Sequence, residues 1–336
     1  MRAMVLAAGL GTRLRPLTFE LPKPMVPVLD RPVMAHIVDL LHRQGFDDII
    51  ANLHYFPDTI RGYFGDELTY RYEEALKGTA GGVRNCADFF GDEPFIVISG
   101  DALTDIDLEK LAARHRAHGG VATLTVKKVP DTREYGVVLH DADGRITGFQ
   151  EKPDPAEALS DLGNCGIYVF SPEIFDYFPK DQDEVDWAHD VFPTLLEHDV
   201  PFYIHEIDEY WNDVGSLAEL KAGTFDVLTG ALKLDVRGDT LDEGLTVGAH
   251  SGLDGVSMIE PPVWIGDGVR IGAETRLMGP VVIGDGATIE DGALIRDSIV
   301  FPGTTVPAGA ILIGAIAGAA GIVEALPKRV AGQTAP

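Results

Sequence analysis

Residues 4–27 read MVLAAGLGTRLRPLTFELPKPMVP: an apolar run from Met4 to Ala8, a loop carrying Gly9, Gly11, Thr12, Arg13 and Arg15, then Lys23 between two prolines. A short apolar run bounded by glycine predicts a buried strand. A glycine loop behind such a strand lets backbone N–H groups approach an anion closely, and cationic side chains add charge that backbone cannot supply. Gly9-x-Gly11 lacks the third glycine of the dinucleotide fingerprint, and no Gly-x4-Gly-Lys-Ser/Thr is present, so neither a Rossmann cofactor loop nor a Walker loop is written here. A lone Gly-Leu-Gly is otherwise a tight strand-to-helix turn. Three cations, Arg13, Arg15 and Lys23, in one segment of an acidic chain are more than a turn requires, and the stretch predicts a polyphosphate site.

Beyond this stretch, strand-like runs alternate with helical patterns. Strands are predicted at residues 3–8, 49–52, 69–72, 95–99 and 123–127, with helices at 33–44, 58–64, 81–89 and 108–118 between them. Such alternation implies βαβ units and a mostly parallel sheet covered on both faces. Ligands sit at the carboxyl ends of strands in these sheets, where residues 8–16 and 100–104 emerge. From residue 135 to 170 short strands at 136–140, 146–151 and 166–170, with a turn at 141–144, predict an antiparallel addition to the sheet. A helix at 188–197 and a strand at 203–207 follow.

The chain has 336 residues, 45% of them hydrophobic, and a formal net charge of −26, enough for two domains with a large core. A duplex binder needs a basic face, so nucleic acid is excluded as an expected partner. A nucleotide needs only one local cationic pocket and a divalent cation. Cys86 and Cys165 lie in no metal or redox spacing; they read as small buried apolar residues and point to a reduced, cytoplasmic compartment. No signal peptide is expected. The apolar run 311–326 is short, broken by glycines and carries Glu324, so it predicts a terminal coil or packing helix rather than a membrane span.

From Leu241 an aliphatic residue recurs at every sixth position: Leu241, Val247, Leu253, Ile259, Ile265, Ile271, Leu277, Ile283, Ile289 and Ile295, with the first three open to reading as an irregular entry. Gly248, Gly266, Gly272 and Gly284 follow four of them. This is the hexapeptide period of a parallel β-helix, each six residues making one face of a triangular coil with the aliphatic side chain inward. After Ile295 the phase slips by one to Val300, Val306 and Leu312, which predicts a bulge or shortened turn. An acyltransferase module would need a catalytic base, and the one histidine past Leu241, His250, sits at the irregular start. A scaffold for homo-oligomerisation is the better reading.

Several constellations bear chemistry. Residues 95–101, FIVISGD, end a buried strand at Asp101, placed where one carboxylate with phosphate oxygens and water holds magnesium. Asp105 and Asp107 compete for that role, and a helix-capping or turn function is the alternative. A second carboxylate is offered by Asp213 in WNDVG. FQEKP places Glu151 beside Lys152 before Pro153, where a bend turns a carboxylate toward sugar hydroxyls and a lysine toward a monophosphate. Residues 76–82, LKGTAGG, form a small-residue loop before a helix, open to a flat base.

Together and in this order these stretches resemble the nucleoside-diphosphate-sugar pyrophosphorylases, the sugar-1-phosphate nucleotidyltransferases, over nearly the whole chain. The matching motifs are LAAGLGTRLRPLT with PKPMVPV, GTAGG, SGD, EYGVV, FQEKP, NCGIYVF, DVFPTLLE and WNDVG. The resemblance implies a glycosyltransferase-A-like, Rossmann-like mixed-sheet catalytic domain at 1–230, a left-handed parallel β-helix at 241–318 and a tail at 319–336. It implies that Leu6, Ala8, Gly9, Gly11, Thr12 and Gly100 line the nucleotide, with Arg13 and Lys23 neutralising the triphosphate. Gly78 and Thr79 would face the base. Asp101 and Asp213 would hold Mg2+, and Gly136, Glu151, Lys152 and Asn164 would take the sugar phosphate.

The implied partners are a nucleoside triphosphate and a sugar 1-phosphate, with no membrane. Members using dTTP or UTP often carry glutamine after the lysine matching Lys23; here Pro24 stands there, and GTAG is closer to the guanylyltransferase pattern. That favours GTP with mannose 1-phosphate or a relative such as a heptose phosphate. Two departures bear on the base: Lys77 precedes the glycine, and Gly82 replaces the proline common in that type. The alternatives are a UTP- or dTTP-dependent enzyme of the glucose type, and a non-catalytic subunit sensing nucleotide sugar. The last predicts erosion at residues 9–15, Lys23 or the carboxylates, and none is visible.

Overall fold

In the computed structural model of the protein, which describes residues 1–324, the first apolar run is strand β1, Ala3–Leu6, whose first three residues are fully buried. It pairs in parallel with β2, Ile49–Leu53, on one side, and β2 pairs with β3, Thr69–Tyr72. On its other side β1 pairs in parallel with β4, Phe95–Ser99. Leu6 lies opposite both Asn52 and Ser99, so Ala7, Gly100 and Glu73 leave their strands at one sheet edge. Near-continuous apolar sequence suits strands covered on both faces.

The remaining strands add the antiparallel part. β5, Ala122–Lys128, precedes a hairpin of β6, Gly136–His140, and β7, Ile146–Glu151. Its turn is held by Asp141 Oδ1, which accepts from Asp143 N at 3.0 Å and Arg145 N at 2.9 Å. β8, Leu162–Phe170, runs antiparallel to β4, and β9, Tyr203–Glu206, runs parallel to β5. The resulting order is β7-β6-β8-β4-β1-β2-β3, with β5 and β9 beside β8. β8 begins four residues before the expected 166 because residues 162–164 pair with β5.

Helix α1, Val33–Arg43, α2, Pro57–Phe64, and α5, Leu108–His118, stand as expected. Two expected helices differ. The one at 81–89 is α3, Gly78–Arg84, and α4, Ala87–Phe90, separated where Cys86 N bonds Val83 O in a tighter turn. The one at 188–197 is a π turn, Trp187–Val191, leading into α6, Phe192–Glu197. Pro193 has no N–H to continue a regular ladder from the preceding turn.

The chain clusters into two units, the first of residues 1–10, 22–25 and 34–213, the second of 11–21, 26–33 and 214 onward. In the second unit, helix α7, Leu217–Leu228, is followed by a parallel β-helix whose strands repeat at 18-residue spacing, with Val263 opposite Val281 and Leu277 opposite Ile295. Val247, Ile265, Leu277, Ile283, Ile289 and Ile295 are buried in its core. Leu241, one of the three positions open to an irregular entry, does not join the core: it is 60% exposed in Asp239–Asp242, a strand antiparallel to Leu245–Val247 and outside the coil. The phase slip falls at Asp297, at φ 48°, where one turn residue is lost between the paired rows. The glycines after the aliphatic residues mark where the next coil presses closest; a Cβ on Gly266 would lie 2.7 Å from Asp285 N.

The run 311–326 is not a helix. Residues 311–324 are the strands Ile311–Ile313, Ala315–Gly318 and Gly321–Glu324, the last two an antiparallel hairpin, and residues 325–336 lie outside the described residues. No described helix is long and apolar enough to cross a membrane.

Candidate active site

Lys23 opens a single 3-10 turn, Lys23–Met25, closed by Met25 N on Pro22 O at 2.8 Å. The flanking prolines fix φ on both sides of it. Its ammonium is ion-paired with Asp101 Oδ2 and reaches the backbone oxygen of Asp213 at 3.5 Å. Asp101 follows β4, and Gly100 N donates to Leu6 O at 2.9 Å, tying its loop to the end of β1. Asp213 returns to that loop because Trp211–Asn212 pairs antiparallel with Leu103–Thr104. One cation thus touches both residues expected to hold magnesium. The competitors are engaged elsewhere: Asp107 caps α5 through Lys110 N, and Asp105 accepts from Tyr210 N at 2.7 Å.

The loop of residues 76–82, expected to receive the base, is clamped by a segment that sequence reading did not single out. Val185 O accepts from Ala80 N and Gly81 N, and Val185 N donates to Lys77 O at 2.8 Å. Gly78 has φ +76°, and a Cβ there would collide with Val185 O, so glycine is required. Thr79 is exposed, yet its hydroxyl donates to Asp186 Oδ2 at 2.7 Å and accepts from Trp187 N. Asp186 also caps the π turn through Ala188 N and His189 N. The acidic run 181–186 reads as a solvated loop, which is why its role was not legible.

Among the residues expected to take the sugar phosphate, Gly136 pairs with Glu151 across β6 and β7, and a Cβ on Gly136 would lie 3.1 Å from Glu151 Oε2. Lys152 sits at φ 47°, a conformation rare for a side-chain-bearing residue, and its ammonium meets Glu151 Oε1 at 3.1 Å. The expected bend is therefore at Lys152 itself, and both side chains are exposed. Asn164 is held in place by Tyr168 Oη, which accepts from its Nδ2 at 3.0 Å, and by Gly166 N on its Oδ1. Burial pushes the Tyr168 phenol well up, so it stays a neutral partner.

Leu6, Ala8 and Gly9 stay in the first unit, with Gly9 exposed. Gly11, Thr12 and Arg13 group with the second. Gly11 takes φ 60° to start the turn Thr12–Leu14, and Thr18 Oγ1 fixes its carbonyl at 2.7 Å. Thr12 and Arg13 are exposed, and Arg15 lies over the Phe19 ring at 5.2 Å. Both cysteines are buried; burial pushes the Cys86 thiol up to about 12 and that of Cys165 further, so neither is a nucleophile at neutral pH.

A nucleotidyl transferase family profile matches residues 2–229, and a bacterial transferase hexapeptide profile of six repeats matches residues 262–297. A UTP–glucose-1-phosphate uridylyltransferase of Synechocystis is 38% identical, covering 93% of this chain and 86% of that protein. A mannose-1-phosphate guanylyltransferase of Mycobacterium tuberculosis is 32% identical over 92% of this chain and 82% of its own length. Among solved structures, HddC from Yersinia pseudotuberculosis superposes with a TM-score of 0.58 at 24% identity, covering 67% of this chain and 98% of its own, a likeness of fold. With the profile spanning the whole mixed sheet and the relatives running through both units, the chain belongs to the nucleotidyl transferase family.

Proposed function

We propose that the protein transfers a nucleotidyl group from a nucleoside triphosphate to a sugar 1-phosphate, with GTP and mannose 1-phosphate, or a related sugar phosphate, as its substrates. The observation that carries this reading is the meeting of Lys23 with Asp101, just past the parallel strand β4, and with the backbone oxygen of Asp213. A sugar-phosphate oxygen attacks the α-phosphorus, the bond to the bridging oxygen breaks, and pyrophosphate leaves with the electron pair. The attacking phosphate is already ionised, so no protein nucleophile or strong base is needed. The protein's task is to position two anions that repel each other.

Lys23 and Arg13 offset the triphosphate charge, Lys152 the sugar phosphate, and Glu151 with Asn164 orients the sugar hydroxyls. Gly9, Gly11 and Thr12 offer backbone donors to phosphate, and Gly78 with Thr79 receives the base. Asp101 and Asp213 offer hard oxygen donors, which suit Mg2+; bound there it would neutralise phosphate charge. No group of three or more His, Cys, Asp or Glu is gathered for a metal among the described residues, so such an ion takes its other ligands from substrate and water. The catalytic domain is assigned to residues 1–230, the β-helix to a homo-oligomer contact and the protein to the cytoplasm.

UTP with glucose 1-phosphate is the second reading, favoured by the 38% identical uridylyltransferase. Pro24 after Lys23 and the GTAG loop support GTP. Pyrophosphate release measured with four nucleoside triphosphates against a panel of sugar 1-phosphates separates them. Highest kcat/KM with GTP and mannose 1-phosphate supports the first; higher turnover with UTP or dTTP overturns it.

A further inference from the structure

Asn52 and Glu73 are polar, were not singled out by the sequence, and are 3% and 2% exposed. Asn52 is on β2 opposite Leu6, and Glu73 follows β3 at the same sheet edge. Asn52 Oδ1 accepts from Ala7 N at 2.9 Å, and its Nδ2 donates to Glu73 Oε1 at 2.8 Å. The other oxygen, Glu73 Oε2, accepts from Lys77 N at 3.2 Å. A carboxylate cannot donate and a backbone N–H cannot accept, so the whole chain has one polarity and the amide of Asn52 one orientation. The loop of α3 lies directly against the pair: a Cβ on Gly82 would come within 2.6 Å of Asn52 Nδ2 and 2.9 Å of Glu73 Oε1. This accounts for glycine where the guanylyltransferase pattern has proline.

We propose that Asn52 and Glu73 are positioning residues that tie the head of the phosphate loop, at Ala7, to the head of the base loop, at Lys77, through one buried carboxamide–carboxylate pair. A buried pair of this kind is rigid because leaving either group unpaired is costly. Its effect is to fix the distance between the triphosphate and base subsites, so nucleotide affinity and base discrimination depend on residues that touch neither. The inference rests on the nucleotidyl-transfer reading for its kinetic consequence, and on geometry alone for the tie.

The test uses Glu73→Gln, Asn52→Asp and the double variant. In Glu73→Gln one of the two acceptors becomes a donor, and in Asn52→Asp two acceptors face each other, so each single change breaks the chain. In the double variant the introduced carboxylate accepts from Ala7 N and from the introduced amide, whose oxygen accepts from Lys77 N, and every bond is restored with the same net charge. Each single variant is expected to raise KM for the nucleoside triphosphate about tenfold, equivalent to roughly one hydrogen bond to a charged group. KM for the sugar 1-phosphate stays within about twofold, and the double variant returns nucleotide KM toward wild type.

Amide hydrogen exchange in the absence of substrate reads the tie independently: protection at Ala7 and Lys77 falls in the single variants and returns in the double. Unchanged nucleotide KM with a lowered thermal midpoint means a structural role and overturns the proposal, as does a double variant no better than the singles. Where the single variants are too unstable to assay, a double variant with wild-type nucleotide KM and protection at Ala7 and Lys77 supports the tie, and one lacking either overturns it. A wild type that turns over no nucleotide overturns the functional reading while the exchange result still decides the tie.

Discussion

Lys23 is ion-paired with Asp101, and both side chains are largely buried, at 14% and 21% exposure. On the proposed reaction, a cation so placed would meet charge that develops between two phosphates, and its loss would be felt in the transition state. Lys23→Ala is expected to lower kcat/KM by about 10²–10³-fold. Asp101→Asn is expected to fall in the same range. Each change also leaves one largely buried charge without its partner and is expected to cost about 1–3 kcal/mol of stability, so turnover is compared at a temperature where both variants are folded. Pyrophosphate release and thermal denaturation check the two halves; near-normal turnover in either variant places the phosphate site elsewhere.

Gly78→Ala tests the proposed base-binding role of the loop at residues 76–82. At φ +76° and with Val185 O against it, an added methyl strains the backbone by about 1–3 kcal/mol. The expected outcome is a raised KM for the nucleotide with the sugar-phosphate KM unchanged, together with a lower urea midpoint.

In the second unit Lys221 on α7 is 7% exposed, and its ammonium meets Asp297 Oδ2 at 2.8 Å. Asp297→Ala removes the partner of a buried ammonium and is expected to cost about 1–3 kcal/mol. Adding Lys221→Met should recover most of that loss, because an apolar chain of similar length needs no partner. Chemical denaturation of the three proteins measures the difference.

His115 and His118 belong to a closed circuit of single protons. Gly120 N donates to His118 Nδ1, so His118 Nε2–H donates to Thr123 Oγ1 at 2.7 Å. The Thr123 hydroxyl donates to His115 Nδ1 at 2.9 Å, His115 Nε2–H donates to Ser171 Oγ at 3.0 Å, and the Ser171 hydroxyl ends on Gly120 O. No member can take another proton without breaking a bond. Both imidazoles are held down to about 4, by burial first, with Arg116 also acting on His115. For His118 burial is followed by His115 and Arg114. Glu173 opposes the shift at His115 without reversing it.

The unfolded chain therefore binds protons between pH 6.5 and about 4 that the folded chain does not. Stability is unaffected by these groups above pH 6.5 and falls as pH drops through that window. Urea midpoints measured from about pH 7 to about pH 4 should decline more steeply in wild type than in His115→Gln, after allowance for the variant's lower starting stability.

The parallel strands were legible because strand-like runs alternate with helical patterns at βαβ spacing; Thr69–Tyr72 and Phe95–Ser99 fall on the residues their pattern predicts. The hexapeptide period located the β-helix core, and the slip after Ile295 located the turn at Asp297. Leu241 fitted the period by coincidence of spacing, since a period carries no information on whether its first member has a coil to stack on. The lysine and carboxylates lie at strand ends and between prolines, where local sequence marks them. Asn52, Glu73 and Asp186 each make a bond that spans 21 to 107 residues, and no local pattern reports a hydrogen bond of that separation.

Whether the chemistry occurs at the α-phosphorus is decided by label tracking. Incubating the protein with mannose 1-phosphate and either α-³²P or γ-³²P GTP separates the bonds. Attack at the α-phosphorus puts the α label in a nucleotide sugar and the γ label in pyrophosphate; γ label appearing in inorganic phosphate or on the sugar, with no α label in a nucleotide sugar, contradicts it.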